Sequence, residues 1–135
     1  MLETYYKCRL KYKDYIIFIR VGSFYEVFYK DSLILNELFD YKIKKIKDNI
    51  KVGFPIRKIE SIIRLMGNIN YVIVDEGIEK MEFDDNKYNE YNFDVNKVIL
   101  NFIKLERVYN YLIDDIVDGD LLNSIDKLII GKNIV

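Results

Sequence analysis

Phe24 and Glu26 stand two residues apart in the stretch Arg20-Val21-Gly22-Ser23-Phe24-Tyr25-Glu26-Val27-Phe28. In a strand, residues two apart share a face. Phe24, Glu26 and Phe28 are therefore predicted on one side of a sheet, and Tyr25, Val27 and Tyr29 on the other. A core needs one such face. The other presents a flat apolar ring beside a carboxylate, a pair suited to stacking and hydrogen bonding rather than to bond cleavage.

Other reactive groups are scarce. There is no histidine, which removes the usual general base and the commonest metal ligand. Cys8 is the only cysteine, so an intramolecular disulfide is impossible and a thiolate metal cluster is not expected. Glycines fall at 22, 53, 67, 77, 119 and 131, with no Walker-type loop, no GxGxxG and no GxSxG. ATP binding and dinucleotide chemistry are not expected, and neither is any cofactor or resident metal. One enzyme reading survives, a Mg²⁺-dependent nuclease. Asp75 with Asp85-Asn86-Lys87 makes a loose carboxylate…carboxylate-x-lysine pattern, in which two carboxylates could hold the ion and lysine could polarise a phosphate.

These residues need elements to position them. The 135 residues fit one domain with a sizeable core, and 50% hydrophobic content is too apolar for disorder. Residues 2–13 are predicted helical, and Tyr15-Ile16-Ile17-Phe18-Ile19 reads as a central strand buried on both faces. After Gly22 the next strand covers 24–29, and Asp31-Ser32 is predicted to cap a helix carrying Leu33, Leu35, Leu38 and Phe39. Lys42 to Lys47 reads as an exposed edge strand, its lysines guarding against sheet-to-sheet pairing, with 49–54 beside it. Ile56, Ile59, Ile62, Ile63 and Met66 make an amphipathic helix ended by Gly67. Tyr71-Val72-Ile73-Val74 is a further buried strand, and 80–83 a last short one. The fold class is α/β (α+β), a mixed β-sheet flanked by helices.

Residues 84–94 read as a polar linker or loop, closing a domain over 1–83. Residues 95–135 follow as a helical hairpin extension packing on or beside the domain, with the Asp118-Gly119-Asp120 turn between apolar stripes on 98–116 and 121–129. The hairpin either covers a sheet face of its own domain or offers a surface over 95–130 for a protein partner or self-association. No stretch has signal-peptide character or the roughly 20 apolar residues of a membrane span, so a cytoplasmic location is expected, without membrane contact. The net charge of −1 hides an asymmetry: residues 1–74 carry 14 Lys and Arg against 8 Asp and Glu, residues 75–135 carry 7 against 14. The first half suits a polyanion.

Over residues 2 to 79 the chain resembles the N-terminal mismatch-recognition domain, domain I, of the MutS DNA mismatch-repair family. The matching pieces occur in order: Tyr5-Tyr6 on the basic helix, Arg20-Val21-Gly22-Ser23-Phe24-Tyr25-Glu26-Val27-Phe28-Tyr29, Leu35 to Asp40, Val52-Gly53-Phe54-Pro55 before the 59–66 helix, and Tyr71 to Asp75. The family's Gly-Asp-Phe-Tyr-Glu is present except for Ser23. Val21 also replaces the usual methionine, and Pro55-Ile56-Arg57 stands for Pro-Tyr-His. The resemblance implies minor-groove contact with double-stranded DNA that is mismatched or kinked. It implies that Phe24 wedges into the stack and that Glu26 hydrogen-bonds the mispaired base.

Arg20, Ser23, Lys42, Lys44, Lys45, Gly53, Arg57 and Lys58 are the candidates for backbone contact, since affinity for duplex comes mainly from cations and amides on phosphates. The expectation is a free-standing recognition domain that binds without catalysis. Its alternative is a protein-interaction or regulatory module that kept the fold and lost DNA binding.

Overall fold

The computed structural model describes residues 2–131; Met1 and the last four residues of the expected extension lie outside the described residues. The elements are α1 (Leu2–Lys11), β1 (Ile16–Val21), β2 (Phe24–Phe28), α2 (Tyr29–Phe39), β3 (Lys44–Ile46), β4 (Asn49–Pro55), a 3-10 turn at Ile56–Lys58, α3 (Ile59–Met66), β5 (Tyr71–Val74), β6 (Ile78–Met81), a 3-10 turn at Tyr88–Glu90, α4 (Val95–Asp114) and α5 (Asp120–Gly131). The chain forms two compact units, divided after Val95.

In the first unit six strands form one mixed sheet in the order β3-β4-β2-β1-β5-β6, with β1 and β5 parallel and the other pairs antiparallel. The apolar run Ile16–Ile19 becomes the central strand because both of its faces are covered. Ile16 and Phe18 join Tyr25, Val27, Val52 and Phe54 beneath α2 and α3. Ile17 and Ile19 meet Tyr5 and Cys8 of α1, and Tyr12 directly after it, on the other side. The short lysine-bearing β3 lies at one edge of the sheet, and β6, exposed throughout, lies at the other. This last strand starts two residues earlier than its sequence pattern indicates, directly after the Asp75–Gly77 turn.

The expected cap at Asp31-Ser32 is corrected. The chain enters α2 straight from β2, through Tyr29 at φ 50, so Asp31 already lies inside the first turn. Its carboxylate is fully buried and joins three segments. It accepts bonds from Arg9 Nη2 at 2.5 Å, the Ile17 amide at 3.0 Å and the Tyr88 hydroxyl at 2.6 Å. Burial pushes the Asp31 carboxyl up, against the pull of Arg9 and these hydrogen bonds. For Arg9, burial is the largest single influence and lowers the value, but the Asp31 charge together with Tyr88 and Tyr5 overcomes it and holds the guanidinium above its ordinary range. Arg9 also donates through Nη1 to the carbonyls of Tyr12, Lys13 and Tyr15, clamping the turn from α1 into β1.

Tyr88 shows that residues 84–94 are a loop packed on the core rather than a linker between units. The Tyr88 ring is buried, and Phe83, Tyr91 and Phe93 pack against the same cluster. Polar spacing hid this because the anchoring side chains are isolated aromatics without a period.

Two phenols give the fold a pH limit. Burial, followed by the Asp31 charge, pushes Tyr5 up to about 12. Burial, followed by the Tyr6 hydrogen bond, pushes Tyr29 up to about 12. Unfolded phenols titrate near pH 10. The folded state therefore keeps these protons longer, and this contribution to stability is complete below pH 10 and lost as the pH rises towards 12. Thermal melts followed by circular dichroism should show the midpoint falling over that window.

In the second unit, a turn over residues 115–119 joins α4 to α5. Asp115 caps α5, its Oδ2 accepting the Leu121 and Leu122 amides at 3.1 and 3.2 Å. Gly119 supplies the positive φ of 73 that this turn needs. Among the described residues no helix is long and apolar enough to cross a membrane.

Candidate nucleic-acid interface

Phe24 sits at the tip of the β1–β2 hairpin, where Gly22-Ser23 make a two-residue loop and Val21 pairs with Phe24. Gly22 has φ 62, a value that favours glycine at the first position of such loops. The register then fixes which side chains share a face. Phe24 lies opposite Pro55, Glu26 opposite Ile19 and Gly53, and Phe28 opposite Lys51; Lys51 lies opposite Lys44. Phe24, Glu26, Lys44, Lys51 and Gly53 thus occupy one face. Farther along that face Phe28 is buried under α1, whereas Phe24 is 48% exposed.

Around Phe24 and Glu26 the sheet is hollowed into a groove of about 450 Å³, lined also by Val21, Lys44, Lys45, Ile46, Lys51 and Gly53. A Cβ on Gly53 would lie 4.0 Å from Glu26 Cγ, an ordinary contact. Packing within the protein therefore does not demand glycine here, and its effect is to keep the groove floor open.

Lys51 was not singled out from the sequence. It donates to the Glu26 carboxylate, with the two side chains 19% and 13% exposed. Its signal was the alternation in Lys51-Val52-Gly53-Phe54, which sends Lys51 and Gly53 to the groove and Val52 and Phe54 to the core. The pair neutralises the charge of Glu26 locally, removing much of the repulsion that a lone carboxylate would exert on a polyanion.

The remaining candidates divide. Ser23 is exposed in the loop, and its carbonyl accepts the Ile56 amide at 3.1 Å, which ties the β1–β2 loop to the turn carrying Arg57 and Lys58. Both of those cations are exposed, as is Lys44. Lys42 is exposed in the loop before β3. Lys45 pairs with Ile50 and so belongs to the other face by register, although it contributes to the groove rim.

Arg20 is not beside Phe24. It lies opposite Tyr25, on the face of Ile16 and Phe18, and its Nη1 contacts both carboxylate oxygens of Asp75 at 3.3 and 3.0 Å. A larger cleft of about 670 Å³ opens on that face. Its rim carries Glu60, Asp75, Glu76 and Glu79 against Arg64, an acidic setting unsuited to phosphates. The smaller groove is the better candidate.

The nuclease pattern does not assemble. Asp85 accepts a bond from Asn68, and Asn86 bonds the carbonyl of Asp14 and the amide of Asn70, all at the start of β1 and β5. Asp75 follows the end of β5. Four residues of strand, roughly 13 Å, separate them, too far for one ion.

This arrangement coincides with a family match. The family model for MutS domain I fits residues 1–101. The chain belongs to the MutS domain I family. The match runs beyond residue 83, taking in the loop anchored by Tyr88. Among individual relatives, the DNA mismatch repair protein MutS of Fervidobacterium nodosum is 27% identical over 73 residues, 54% of this chain and 9% of that protein. The MutS protein of Borrelia garinii subsp. bavariensis is 38% identical over 64 residues, 47% of this chain and 7% of that protein. That of Thermotoga petrophila is 26% identical over 73 residues, again 54% and 9%. The matched stretch thus spans less than a tenth of these relatives' length, and their domain I is the part this chain shares.

Proposed function

We propose that this chain binds mismatched or otherwise distorted duplex DNA without catalysis, Phe24 acting as the wedge and Glu26 as the contact to the displaced base. The observation that carries the reading is the half-exposed Phe24 ring at a hairpin tip, on one face with Glu26 and beside a groove rimmed by lysines. The names of the MutS relatives support it. A mismatch lowers the cost of unstacking and kinking, so an apolar wedge finds it through deformability. Glu26 supplies discrimination rather than affinity. Lys51 already satisfies it, so it turns to a base only where that base offers a donor in the right place.

Affinity comes from the exposed cations, Lys44 on the groove rim and Arg57 and Lys58 on the turn after β4. Replacing Lys44, Arg57 and Lys58 together by glutamine should weaken binding to matched and mismatched duplexes alike. If each neutralises one phosphate, the slope of log affinity against log salt becomes shallower by about 3. Fluorescence anisotropy at several salt concentrations reads both effects; an unchanged slope would place the DNA elsewhere. The pairing of Arg20 with Asp75 is the one feature that favours the alternative of an interaction module, and a wild-type chain with no measurable affinity for any duplex would establish it.

A further inference from the structure

We infer that the cleft between α3 and the β5–β6 hairpin takes a lysine or arginine side chain from an extended segment of a protein partner, which adds as a strand to the open edge of β6. The cleft lies on the sheet face opposite Phe24 and Glu26, so its occupant neither needs nor blocks the proposed DNA contact. Its volume is about 670 Å³, and Ile59, Ile63 and Ile73 give it apolar walls. Tyr25 and Tyr71 line its floor, only 7% and 8% exposed, their rings packed on Phe54 and Phe18 respectively. Neither hydroxyl has a hydrogen-bond partner among the described residues. The one sealed side-chain polar atom without a partner there is Asn49 Nδ2, so both hydroxyls open onto the cleft they line. Buried phenols with unused hydrogen-bonding capacity in an apolar floor leave room for a polar ligand group.

The rim selects a cation. Glu60, Asp75, Glu76 and Glu79 stand against Arg64, and with Asp75 set against its partner Arg20, three carboxylates remain for one guanidinium. Lys80 does not offset them, since it lies opposite Val72 on the other face and is held by Glu82. Glu79 lies opposite Ile73, on the cleft face. Burial, followed by the Glu79 charge, raises the Tyr71 phenol above its ordinary value, and burial followed by the Asp75 charge does the same for Tyr25. The phenols are therefore protonated at neutral pH, and their oxygens can accept from an ammonium or guanidinium that the carboxylates neutralise. The edge indicates what carries the cation. β6 ends the sheet, all four of its residues are exposed, and among the described residues its backbone bonds only to β5. An extended chain pairing there sends alternate side chains to the cleft face, where a long one crosses a strand spacing of roughly 4.8 Å to reach Glu79 and the phenols. A free amine would satisfy the carboxylates but leave the strand edge unused.

The test uses the 135-residue chain without DNA, so its outcome is separate from that of the recognition reading. The probe is a short fluorescent peptide alternating lysine and valine, which should bind by anisotropy. Glu76→Gln with Glu79→Gln should weaken it by about tenfold or more, as the loss of charge-assisted hydrogen bonds predicts. Asp118→Asn with Asp126→Asn, at exposed sites in the second unit, should leave it unchanged. The same peptide with glutamate in place of lysine, or with methylated backbone amides, should not bind. Should the glutamate double variant lose stability in a thermal melt, Tyr25→Phe with Tyr71→Phe decides instead: it keeps both rings and should weaken the peptide several-fold, and an unchanged affinity overturns the inference. A wild-type chain that does not bind the lysine–valine peptide overturns it, as does equal weakening by the two pairs of acidic substitutions, the mark of diffuse attraction. A methylated peptide, or spermidine, that binds as tightly as the unmodified peptide would reduce the cleft to a site for amines alone and overturns it as well.

Discussion

Phe24→Ala is expected to bind a matched duplex about as tightly as the wild-type chain and to lose its preference for a G·T duplex. Base–aromatic stacking is worth roughly 1–3 kcal/mol, so the loss should be roughly 5- to 150-fold in affinity for the mismatch. The fold should not register the change, because the ring is half exposed and outside both core clusters. Substitutions at such sites usually stay within about 0.5 kcal/mol of wild type. Competition anisotropy with matched and G·T duplexes, alongside a thermal melt, reads both quantities. Identical discrimination by wild type and Phe24→Ala would sink the wedge assignment. Loss of binding to both duplexes in equal measure would make Phe24 a general DNA contact rather than a reader of distortion.

The second large effect is on stability. Asp31→Ala removes the acceptor shared by Arg9, the Ile17 amide and the Tyr88 hydroxyl. Breaking a buried ion pair by deleting one partner costs about 3–5 kcal/mol, because the remaining charge is left uncompensated. Arg9 keeps some contact with solvent, which favours the lower end, about 3 kcal/mol. That is a large fraction of the 5–15 kcal/mol that holds a typical domain together. For a unit of this size it lowers the melting midpoint by about 12–24 °C. Combining Asp31→Ala with Arg9→Met should recover part of the loss, since the stranded cation is then gone too. A midpoint within a few degrees of wild type in Asp31→Ala would show that the network contributes little.

Much of the architecture could be read from local pattern. The uninterrupted apolar run at 16–19 announces a strand covered on both faces, and the lysines at 42–47 announce an edge. Phe24 and Glu26 share a face because alternation is a local property of a strand. What escaped depends on partners distant in the chain. Asp31 looked like a cap because aspartate near a helix start usually is one, but the passage of Tyr29 straight from β2 into α2 turns its carboxylate inward. Tyr88 is the third member of that network, 57 residues further on. Arg20 is a backbone-contact candidate by its place in the sequence, yet it faces the opposite side of the sheet from Phe24 and meets Asp75, 55 residues away. The groove floor escaped similarly, since Lys51 meets Glu26 only through the β2–β4 register.

If the proposed DNA binding holds, the contact between Glu26 and Lys51 bears on its timing. Because the carboxylate is already held in the free protein, it can change partner only after the duplex has docked. Encounter is then governed by the exposed cations and is indifferent to the bases. Discrimination is written into how long the complex lasts. Matched and mismatched duplexes should associate at similar rates and part at different ones, a distinction that stopped-flow measurement would read directly.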